Sequence, residues 1–560
     1  MSRLKIIALS AIVLLLCTGM PSVAQTDKNH FEVSKNIDIL NAIVKETEMF
    51  YVDSINVEKM VRRGIDAMLQ GLDPYTEYFP EQDVSNLKFI TTGEYGGIGS
   101  YIRERKGGGV YIVEPFAGMP AAEAGLKAGD RILAVDDVDV TKKSSDEVSS
   151  LLKGVPNTKM SLKIQRPNEK KPRTFSLIRR QILENQVTYY GVRGNNTGYI
   201  YLKGFTDKSA QEVKSAFEDL KNNQHIKSLI IDLRNNGGGV LESAVQIVGM
   251  FVPKGSLVLT TKGKVSQRDR TYRTPVEPLD TVMPIAVLIN SSSASASEIL
   301  SGSLQDMDRA VLVGERSYGK GLVQAPRDLP YNGTLKVTTS RYYIPSGRCI
   351  QQLDYTHRKA DGSVDVIPDS LTSVFYTAHH RPVRDGGGVR PEFEVEEPES
   401  ATMLYYLATD FVLIDFVTDW CQKHETIAPV EQFEVTDEDF EAFKKYALDH
   451  NFTYDRQSEK LLKNLKEVAQ FEGFSDADTT IFDELQAKLT PNLVRDFDAN
   501  KSLVKRLLAS EIVKRYYYQR GELIESLKDD KVLEKAIQVL NDTALYKKTL
   551  DTPVQSEAKK

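Results

Sequence analysis

The most constraining feature of this chain is a pair of apolar runs, each followed by a loop of small residues. The first run, 286–289, ends at Asn290 and leads into an amphipathic segment, 298–307, whose periodicity predicts a helix. The second run, 310–313, leads into a glycine-rich loop that carries one lysine, Lys320. The pattern predicts a strand-turn-helix unit with a serine-packed turn, followed by a second strand and a tight loop.

A hydroxyl at a helix N-terminus and a lone amine in a tight loop suit a Ser-Lys acyl-transfer site, since serine is a poor nucleophile until a base removes its proton. Lysine ionises at about pH 10.4 in water, so a lysine base must lose several pKa units through burial. Ser295 and Glu298 also fit the S-x-x-E capping box, in which the serine only caps a helix. Local spacing does not choose among the serines of the turn, which are Ser291, Ser292, Ser293, Ser295 and Ser297.

Lys320 has a competing interpretation as part of a phosphate-binding loop. Residues 314–320 satisfy G-x-x-x-x-G-K, but Gly321 stands where the motif needs a Ser or Thr to hold Mg²⁺. The residues that follow are typical of strand and turn instead of the helix whose N-terminus would bind phosphate. The sequence therefore disfavours nucleotide binding.

Three motifs in this region carry a resemblance to a known family. They are DLRNNGGG at 232–239, SASASEI at 293–299 and SYGKGLVQ at 317–324. In type and order they resemble the carboxyl-terminal processing peptidases, also called tail-specific proteases. The resemblance implies that Ser295 is the nucleophile, Lys320 the base, and Gln324 the residue that orients the lysine. It spans residues 35 to 395.

An acyl-transfer site also needs N–H groups aimed at the developing oxyanion. We expect one from Ala296, at the start of the predicted helix, where the helix dipole favours negative charge. A second is expected from the glycine turn 237–239; the resemblance selects Gly238, and its neighbours remain open. The glycines alone also fit a plain strand-to-helix turn. Asp232 and Arg234 are expected to be structural partners.

Periodicity and turn signals divide the chain into regions. Residues 33–70 show helical periodicity, and from 187 to 395 predicted strands and helices alternate, which argues for an α/β core. The expected fold is a multidomain α/β protein, and its PDZ domain and crotonase-like core are implied by resemblance. The expected regions are a signal peptide (1–24), a helical N-terminal segment (25–87), a PDZ domain (88–180), a serine protease core (181–398) and a helical C-terminal extension (399–560).

The extension lies beyond the resemblance, and we expect it to gate the protease, to dock a partner or to form a dimer interface. The PDZ resemblance rests on GGIG at 96–99, PAAEAGL at 120–126 and GDRIL at 129–133. It predicts that a strand over 98–102 pairs with an extended peptide, while the N–H groups of Gly97, Ile98 and Gly99 hold its terminal carboxylate. A dinucleotide fingerprint is disfavoured, because no G-x-G-x-x-G opens a helix.

The N-terminus predicts export. Two basic residues precede the apolar run 6–16, and Ser22-Val23-Ala24 fits the small-x-small cleavage pattern, so the mature chain is expected to begin at Gln25. Cys17 raises a lipoprotein alternative, which the bulky Leu16 before it disfavours. The periplasm is the expected compartment, with or without membrane association. The segment 403–420 contains three aspartates, so it predicts a packed helix and not a membrane span.

Composition excludes other classes. A net charge of −6 over 560 residues provides no electrostatic footprint for nucleic acid. The pair His379-His380 lacks ligand spacing, so we expect no metal and no cofactor. In the mature chain only Cys349 and Cys421 remain, which permits one disulfide without requiring it.

The expected function is an exported serine endopeptidase whose PDZ domain recognises substrate C-termini. The alternative is a non-catalytic PDZ scaffold or periplasmic chaperone. Expected partners are proteins or peptides with free, apolar C-termini, together with a second copy of the chain or an adaptor protein.

Overall fold

The computed structural model describes residues 22–84, 92–105, 107–359, 361–396, 402–454, 457–473, 480–489 and 492–551. The predicted signal peptide therefore lies almost wholly outside the described residues. Contacts divide the chain into two units. The entry unit comprises Met1–Glu81 and Gln324–Thr338, and the main unit comprises Gln82–Val323 and Thr339–Lys560.

The entry unit contains the two helices that the periodicity of 33–70 predicts. Its first elements are α1 (Ser22–Phe50), α2 (Val57–Gln70) and β1 (Glu77–Phe79). Asn56 caps α2 by accepting a hydrogen bond from the Lys59 amide at 2.9 Å, and the helix ends at Gly71. Strand β1 pairs antiparallel with residues 334–336, Tyr78 opposite Leu335.

The PDZ domain forms one end of the main unit. Its elements are β2 (Glu94–Gly97), β3 (Ser100–Glu104), β4 (Val110–Pro115), α3 (Pro120–Glu123), β5 (Arg131–Val135), β6 (Val138–Asp139), α4 (Ser145–Leu152), β7 (Lys159–Gln165), β8 (Arg173–Ile178) and β9 (Arg180–Leu183). Its sheet has the order β3-β4-β5-β7-β8, with β6 on β5, and β2 pairs separately with β9. Helix α4 begins at Ser144, which forms a reciprocal capping box with Glu147.

The protease core has its central sheet in the main unit, and its residues 324–338 belong to the entry unit. Its elements are β10 (Val187–Arg193), β11 (Thr197–Leu202), α5 (Ser209–Asn222), β12 (Ser228–Asp232), α6 (Leu241–Gly249), β13 (Leu257–Gly263), β14 (Arg270–Arg273), β15 (Ile285–Ile289), α7 (Ala296–Asp306), β16 (Val311–Gly314), β17 (Leu322–Asp328), β18 (Thr334–Tyr343), β19 (Leu353–Arg358), β20 (Val364–Val366), β21 (Val374–Tyr376), β22 (Pro382–Arg384) and β23 (Phe393–Glu394). The central sheet has the order β10-β11-β12-β15-β16-β23, and every pair after β10-β11 is parallel.

A parallel sheet must be covered on both faces, and here each face has a different cover. Along β12, Leu229 and Ile231 pack in one cluster with α5, α6 and α7. Ile230, on the opposite face, packs in a second cluster with residues of the C-terminal extension such as Phe416 and Ala536. The extension therefore completes the hydrophobic core, where each fully buried large apolar side chain is worth about 1.5–3 kcal/mol.

The described part of the extension is built mainly from helices. Its helices are α8 (Thr402–Thr409), α9 (Phe411–Lys423), α10 (Asp437–Asp449), α11 (Gln457–Phe471), α12 (Thr480–Leu489), α13 (Leu493–Ala499), α14 (Lys501–Ser526), α15 (Lys531–Asn541) and α16 (Thr543–Asp551). The predicted packed segment 403–420 is two helices separated at Asp410, which caps α9. Among the described residues, none of the helices has the length and apolar character needed to cross a bilayer.

Candidate active site

Ser295 occupies a strained turn between β15 and α7. It is the residue before the helix, with φ 58° and ψ −114°, a conformation that costs a non-glycine residue on the order of 1–3 kcal/mol and that clusters at functional sites. The side chain is half-buried. The turn resembles a nucleophile elbow, in which a serine lies on a sharp turn between a strand and a helix so that its hydroxyl is exposed.

The neighbouring serines have structural roles that separate them from Ser295. Ser293 is buried and donates to the Leu233 carbonyl at 2.8 Å. Ser297 is also buried and donates to the Asn236 carbonyl at 2.8 Å. Ser291 and Ser292 are exposed before the turn. Ser293 and Ser297 are therefore engaged in structural hydrogen bonds, and Ser295 is the half-buried serine at the strained turn.

Glu298 forms the predicted capping box with Ser295, and its carboxylate has a larger role. Oε2 accepts from the Ser295 amide at 2.8 Å and from the Lys320 amide at 2.9 Å. Oε1 accepts from the Gly319 amide and from the Ser317 hydroxyl, each at 2.6 Å. One side chain thus ties the turn at Ser295 to the loop at Lys320.

Glu298 has no exposed surface. Burial raises the pKa of its carboxyl, and the hydrogen bonds that it accepts oppose that shift. The sequence motif indicated a helix cap and contained no sign of this second role, because the lysine loop lies about twenty residues further along the chain.

A second buried link joins the same two segments. The Tyr342 hydroxyl donates to the Lys320 carbonyl at 2.8 Å and lies 3.3 Å from the Ser295 carbonyl. Tyr342 is 1% exposed, and burial raises its pKa well above the ordinary value, so it remains a neutral donor. Ser295 and Lys320 are therefore held by Glu298 through their amides and by Tyr342 through their carbonyls.

The loop around Lys320 does not bind phosphate in the manner of a P-loop. Strand β17 begins two residues after the lysine, so the required helix N-terminus is missing at that point. Gly319 has φ +84°, and a Cβ there would lie 2.4 Å from Cβ of Gln352. The tight path of the loop therefore requires glycine.

Gly238 lies directly against the turn at Ser295. A Cβ on this residue, whose φ is +97°, would lie 2.8 Å from Ser295 Cβ and 2.9 Å from the Ala296 nitrogen. Its amide donates to Asn236 Oδ1 at 2.9 Å. The Ala296 amide has no hydrogen-bond acceptor in the described part of the chain. The two predicted oxyanion donors, the amides of Ala296 and Gly238, are therefore neighbours. An oxyanion bound at Gly238 would either share the Gly238 amide with Asn236 Oδ1 or displace that oxygen as its acceptor.

Three family models match consecutive parts of the chain. They describe a PDZ domain at residues 111–166, peptidase family S41 at 196–357, and the PDZ-protease C-terminal helical domain at 403–540. A carboxy-terminal-processing protease from Bartonella bacilliformis is 32% identical over 334 residues, which is 59% of this chain and 76% of that protein. The chain belongs to peptidase family S41 and is a protease.

Two further similar proteins are a curated relative and a solved structure. A carboxyl-terminal-processing protease from Synechocystis is 37% identical over 295 residues, covering 52% of this chain and 68% of the relative. Among solved structures, a photosystem II D1 C-terminal processing protease is 27% identical, with a TM-score of 0.34, over 63% of this chain and 86% of that one. The family models and the curated relatives confirm the family predicted from sequence, and the described elements confirm the multidomain α/β fold with a PDZ domain.

The family assignment extends beyond the resemblance seen in the sequence motifs. That resemblance faded after residue 395, whereas the helical-domain model covers 403–540. The extension is thus a recognised part of PDZ-proteases and not a feature peculiar to this chain.

Gln324 belongs to the entry unit, whereas Ser295 and Lys320 belong to the main unit. Within its own unit, Gln324 donates from Nε2 to the Thr338 hydroxyl at 3.1 Å. Its predicted role in orienting the lysine stays a prediction.

In the PDZ domain of this S41 protease, Gly97 is the last residue of β2, and Ile98 and Gly99 connect β2 to β3. Gly99 has φ +71°, which is incompatible with an extended strand, so β3 begins only at Ser100. The strand predicted over 98–102 therefore begins two residues later than expected. Ile98 is 3% exposed and packs in the domain core, and its carbonyl accepts from the Ala121 amide at 2.9 Å. Among described strands, β3 pairs only with β4, so its other edge is open.

Neither cysteine forms a disulfide. Cys349 and Cys421 are free thiols, and burial raises the pKa of each. The single bridge that composition permitted is therefore not formed.

Proposed function

We propose that this S41 protease is an exported serine endopeptidase that cleaves with Ser295 as nucleophile and Lys320 as base. The observation that carries the proposal is the shared use of Glu298, whose Oε2 accepts from the amides of both residues. Two loops far apart in sequence are held together by one buried carboxylate, which is the fixed geometry that nucleophile and base require.

In acylation, the Ser295 hydroxyl attacks the scissile carbonyl while the neutral Lys320 amine takes its proton. The carbonyl oxygen becomes an oxyanion beside the Ala296 amide at the N-terminus of α7, where the helix dipole favours negative charge. The second donor is supplied by the Gly238 segment. Collapse of the intermediate breaks the peptide bond, and the leaving amine takes the proton from Lys320.

Deacylation repeats the same steps with water. Lys320, neutral again, removes a proton from a water molecule as its oxygen attacks the acyl-Ser295 ester. The second intermediate uses the same oxyanion donors, and its collapse returns the proton to the Ser295 oxygen. Gln324 orients the lysine amine in this scheme by accepting a hydrogen bond without adding charge.

Substrate recognition is assigned to the PDZ domain. The open edge of β3 can add a peptide strand by main-chain pairing, and helix α4 contacts β3 to form the other side of a groove. The N–H groups of Gly97, Ile98 and Gly99 lie at the start of that edge and are suited to hold a terminal carboxylate. The expected ligands are protein or peptide chains with free, apolar C-termini.

Cellular placement and assembly complete the proposal. The N-terminal signal sequence favours export to the periplasm. Helix α1 exposes apolar residues along much of its length, among them Phe31, Ile37, Leu40 and Ile43. Such a surface suits a second copy of the chain or an adaptor.

The proposal is tested by digestion of one peptide with a free or an amidated C-terminus. Amidation removes a charge-assisted hydrogen bond, so cleavage efficiency should fall roughly 10- to 100-fold with the wild type. Ser295→Ala should cleave neither peptide yet bind the free one. Equal cleavage of both peptides by the wild type would contradict C-terminal recognition, and cleavage by Ser295→Ala would contradict the assigned nucleophile.

A further inference from the structure

The helical extension reaches the protease core at one charged contact close to the active site. Asp530, in the turn between α14 and α15, meets Arg234 of the DLRNNGGG motif. Arg234 donates from Nη1 to Asp530 Oδ1 at 3.1 Å and from Nη2 to Oδ2 at 2.6 Å. This two-bond geometry is the strong, orientation-specific form of an arginine-carboxylate pair.

The pair is buried and belongs to a larger network. The exposed fractions of the Arg234 and Asp530 side chains are 11% and 8%. Arg234 also donates to Asp232, which is 2% exposed and accepts from the Tyr199 hydroxyl at 2.8 Å. Arg234 therefore balances two buried carboxylates, one from the core sheet and one from the extension.

Asp530 also caps a helix, and this role can be separated from its pairing with Arg234. Its Oδ1 accepts from the amides of Val532 and Leu533, each at 3.0 Å, and so caps helix α15. An asparagine can perform this capping equally well, but it lacks the charge that pairs with Arg234.

The residues after Arg234 form the wall of the active site. Asn235 and Asn290 exchange hydrogen bonds of 3.0 Å. The Asn236 carbonyl accepts from the Ala294 amide at 3.0 Å and from the Ser297 hydroxyl at 2.8 Å. The segment anchored by Arg234 is thus bonded on both sides of Ser295 and continues into Gly238.

A cavity of about 840 Å³ lies along this contact, where the PDZ domain, the core and the extension meet. Asp530 and Arg234 line it, together with Asp529 from the same turn of the extension. The cavity leaves room beside the ion pair, so a longer carboxylate at position 530 can be accommodated. Asp529 is exposed and makes none of these bonds, which makes it a matched control.

We propose that Asp530 is a positioning residue for catalysis: it fixes Arg234 and, through it, the 235–239 segment that supplies the oxyanion donor. The extension thereby contributes to the active site of the core. This inference rests on the proposed function, because it assigns Asp530 an effect on the Ser295 reaction.

The test compares Asp530→Asn, Asp530→Glu and Asp529→Asn in the full-length protein. Asp530→Asn keeps the helix cap and removes the charge, so kcat should fall about 10- to 100-fold with KM changed less than about 2-fold. Asp530→Glu should recover most of the lost kcat, and Asp529→Asn should match the wild type. The folded fraction of each variant is measured by near-ultraviolet circular dichroism, and each rate is divided by the concentration of folded protein.

Hydrogen exchange supplies a readout that does not depend on hydrolysis. Amides of residues 235–239 should exchange faster in Asp530→Asn than in the wild type or Asp529→Asn. Unchanged kcat and unchanged exchange in Asp530→Asn would overturn the proposal, as would a loss of rate that vanishes when counted per folded molecule. If the wild type hydrolyses no peptide, the proposed function fails, and the exchange result still decides whether Asp530 holds the segment.

Discussion

The Glu298 carboxylate accepts a hydrogen bond from the Lys320 amide at 2.9 Å, across a gap of 22 residues in the sequence. The same oxygen accepts from the Ser295 amide. The backbones of the residues that we propose as nucleophile and base are therefore held together by a side chain that has no part in the proposed proton transfers.

Replacement of the Glu298 carboxylate should strongly reduce both activity and stability. Glu298→Gln replaces one carboxylate oxygen with an NH₂ group. The buried hydrogen-bond donors that this oxygen accepts from then lose their acceptor. We expect activity to fall on the order of 10²-fold and the free energy of unfolding to fall by about 1–3 kcal/mol. Glu242→Gln is the control, because Glu242 occupies the first turn of α6 but is exposed. Equal effects of the two variants on peptide hydrolysis and on chemical denaturation would contradict the role of Glu298.

Ser295 and Lys320 should act as one unit. Ser295→Ala and Lys320→Ala should each reduce kcat to a similar residual level, and the double variant should lose little more, because neither residue works without the other. Gln324→Ala should be milder, on the order of 10²-fold. Steady-state kinetics on one peptide check this, and losses that multiply in the double variant would show that the two residues act independently.

The glycine turn offers a matched pair of variants. Gly238→Ala should lose at least 10²-fold in kcat, because its φ is positive and its new Cβ would lie within 3 Å of Ser295 and Ala296. Gly237→Ala should lose at most a few-fold, since no atom lies within 4 Å of the Cβ position. Hydrolysis kinetics with thermal melts separate activity from folding. Similar kinetics for the two variants would place the oxyanion hole elsewhere.

Glu114 predicts a pH dependence of stability. Burial raises its pKa from 4.5 to about 7, with Lys514 opposing the shift, and Oε1 finds no hydrogen-bond partner among the described residues. Between these pH values the folded state binds more protons than the unfolded state, so the free energy of unfolding should decrease as pH rises from 4.5 to 7.

Glu114→Gln should remove this dependence and raise the free energy of unfolding at pH 8 by about 1–3 kcal/mol. Urea denaturation at several pH values measures both effects. The account of Glu114 would be wrong if the wild type and the variant showed parallel pH profiles.

The sequence predicted the elements of the site better than their coupling. The helix after Ser295, the strand after Lys320 and the glycine turn at 237–239 all follow from local periodicity and punctuation. The capping-box pattern at Ser295 is present, but Glu298 also accepts a hydrogen bond from the Lys320 amide, which the pattern did not indicate. Local spacing does not show which distant loop a buried carboxylate will meet.

The role of the extension was also beyond local patterns. Its helices were predicted from composition and periodicity. In the structure Ile230 faces the extension, whereas its neighbours in β12 face the opposite side of the sheet. Because β12 is a continuous apolar run, the sequence does not show which helices pack on each face. The contact between Asp530 and Arg234 joins residues 296 positions apart. Only the folded chain brings these carboxylate and guanidinium groups together.

The most direct test of the central claim is the site and rate of covalent labelling by a fluorophosphonate, located by peptide mass spectrometry. The probe should modify Ser295 alone, should leave Ser295→Ala unlabelled, and should react at least 10-fold more slowly with Lys320→Ala, because the serine then lacks its base. Labelling of Ser291, Ser292 or another serine, or an undiminished rate in Lys320→Ala, would contradict the assignment of Ser295 and Lys320 as nucleophile and base.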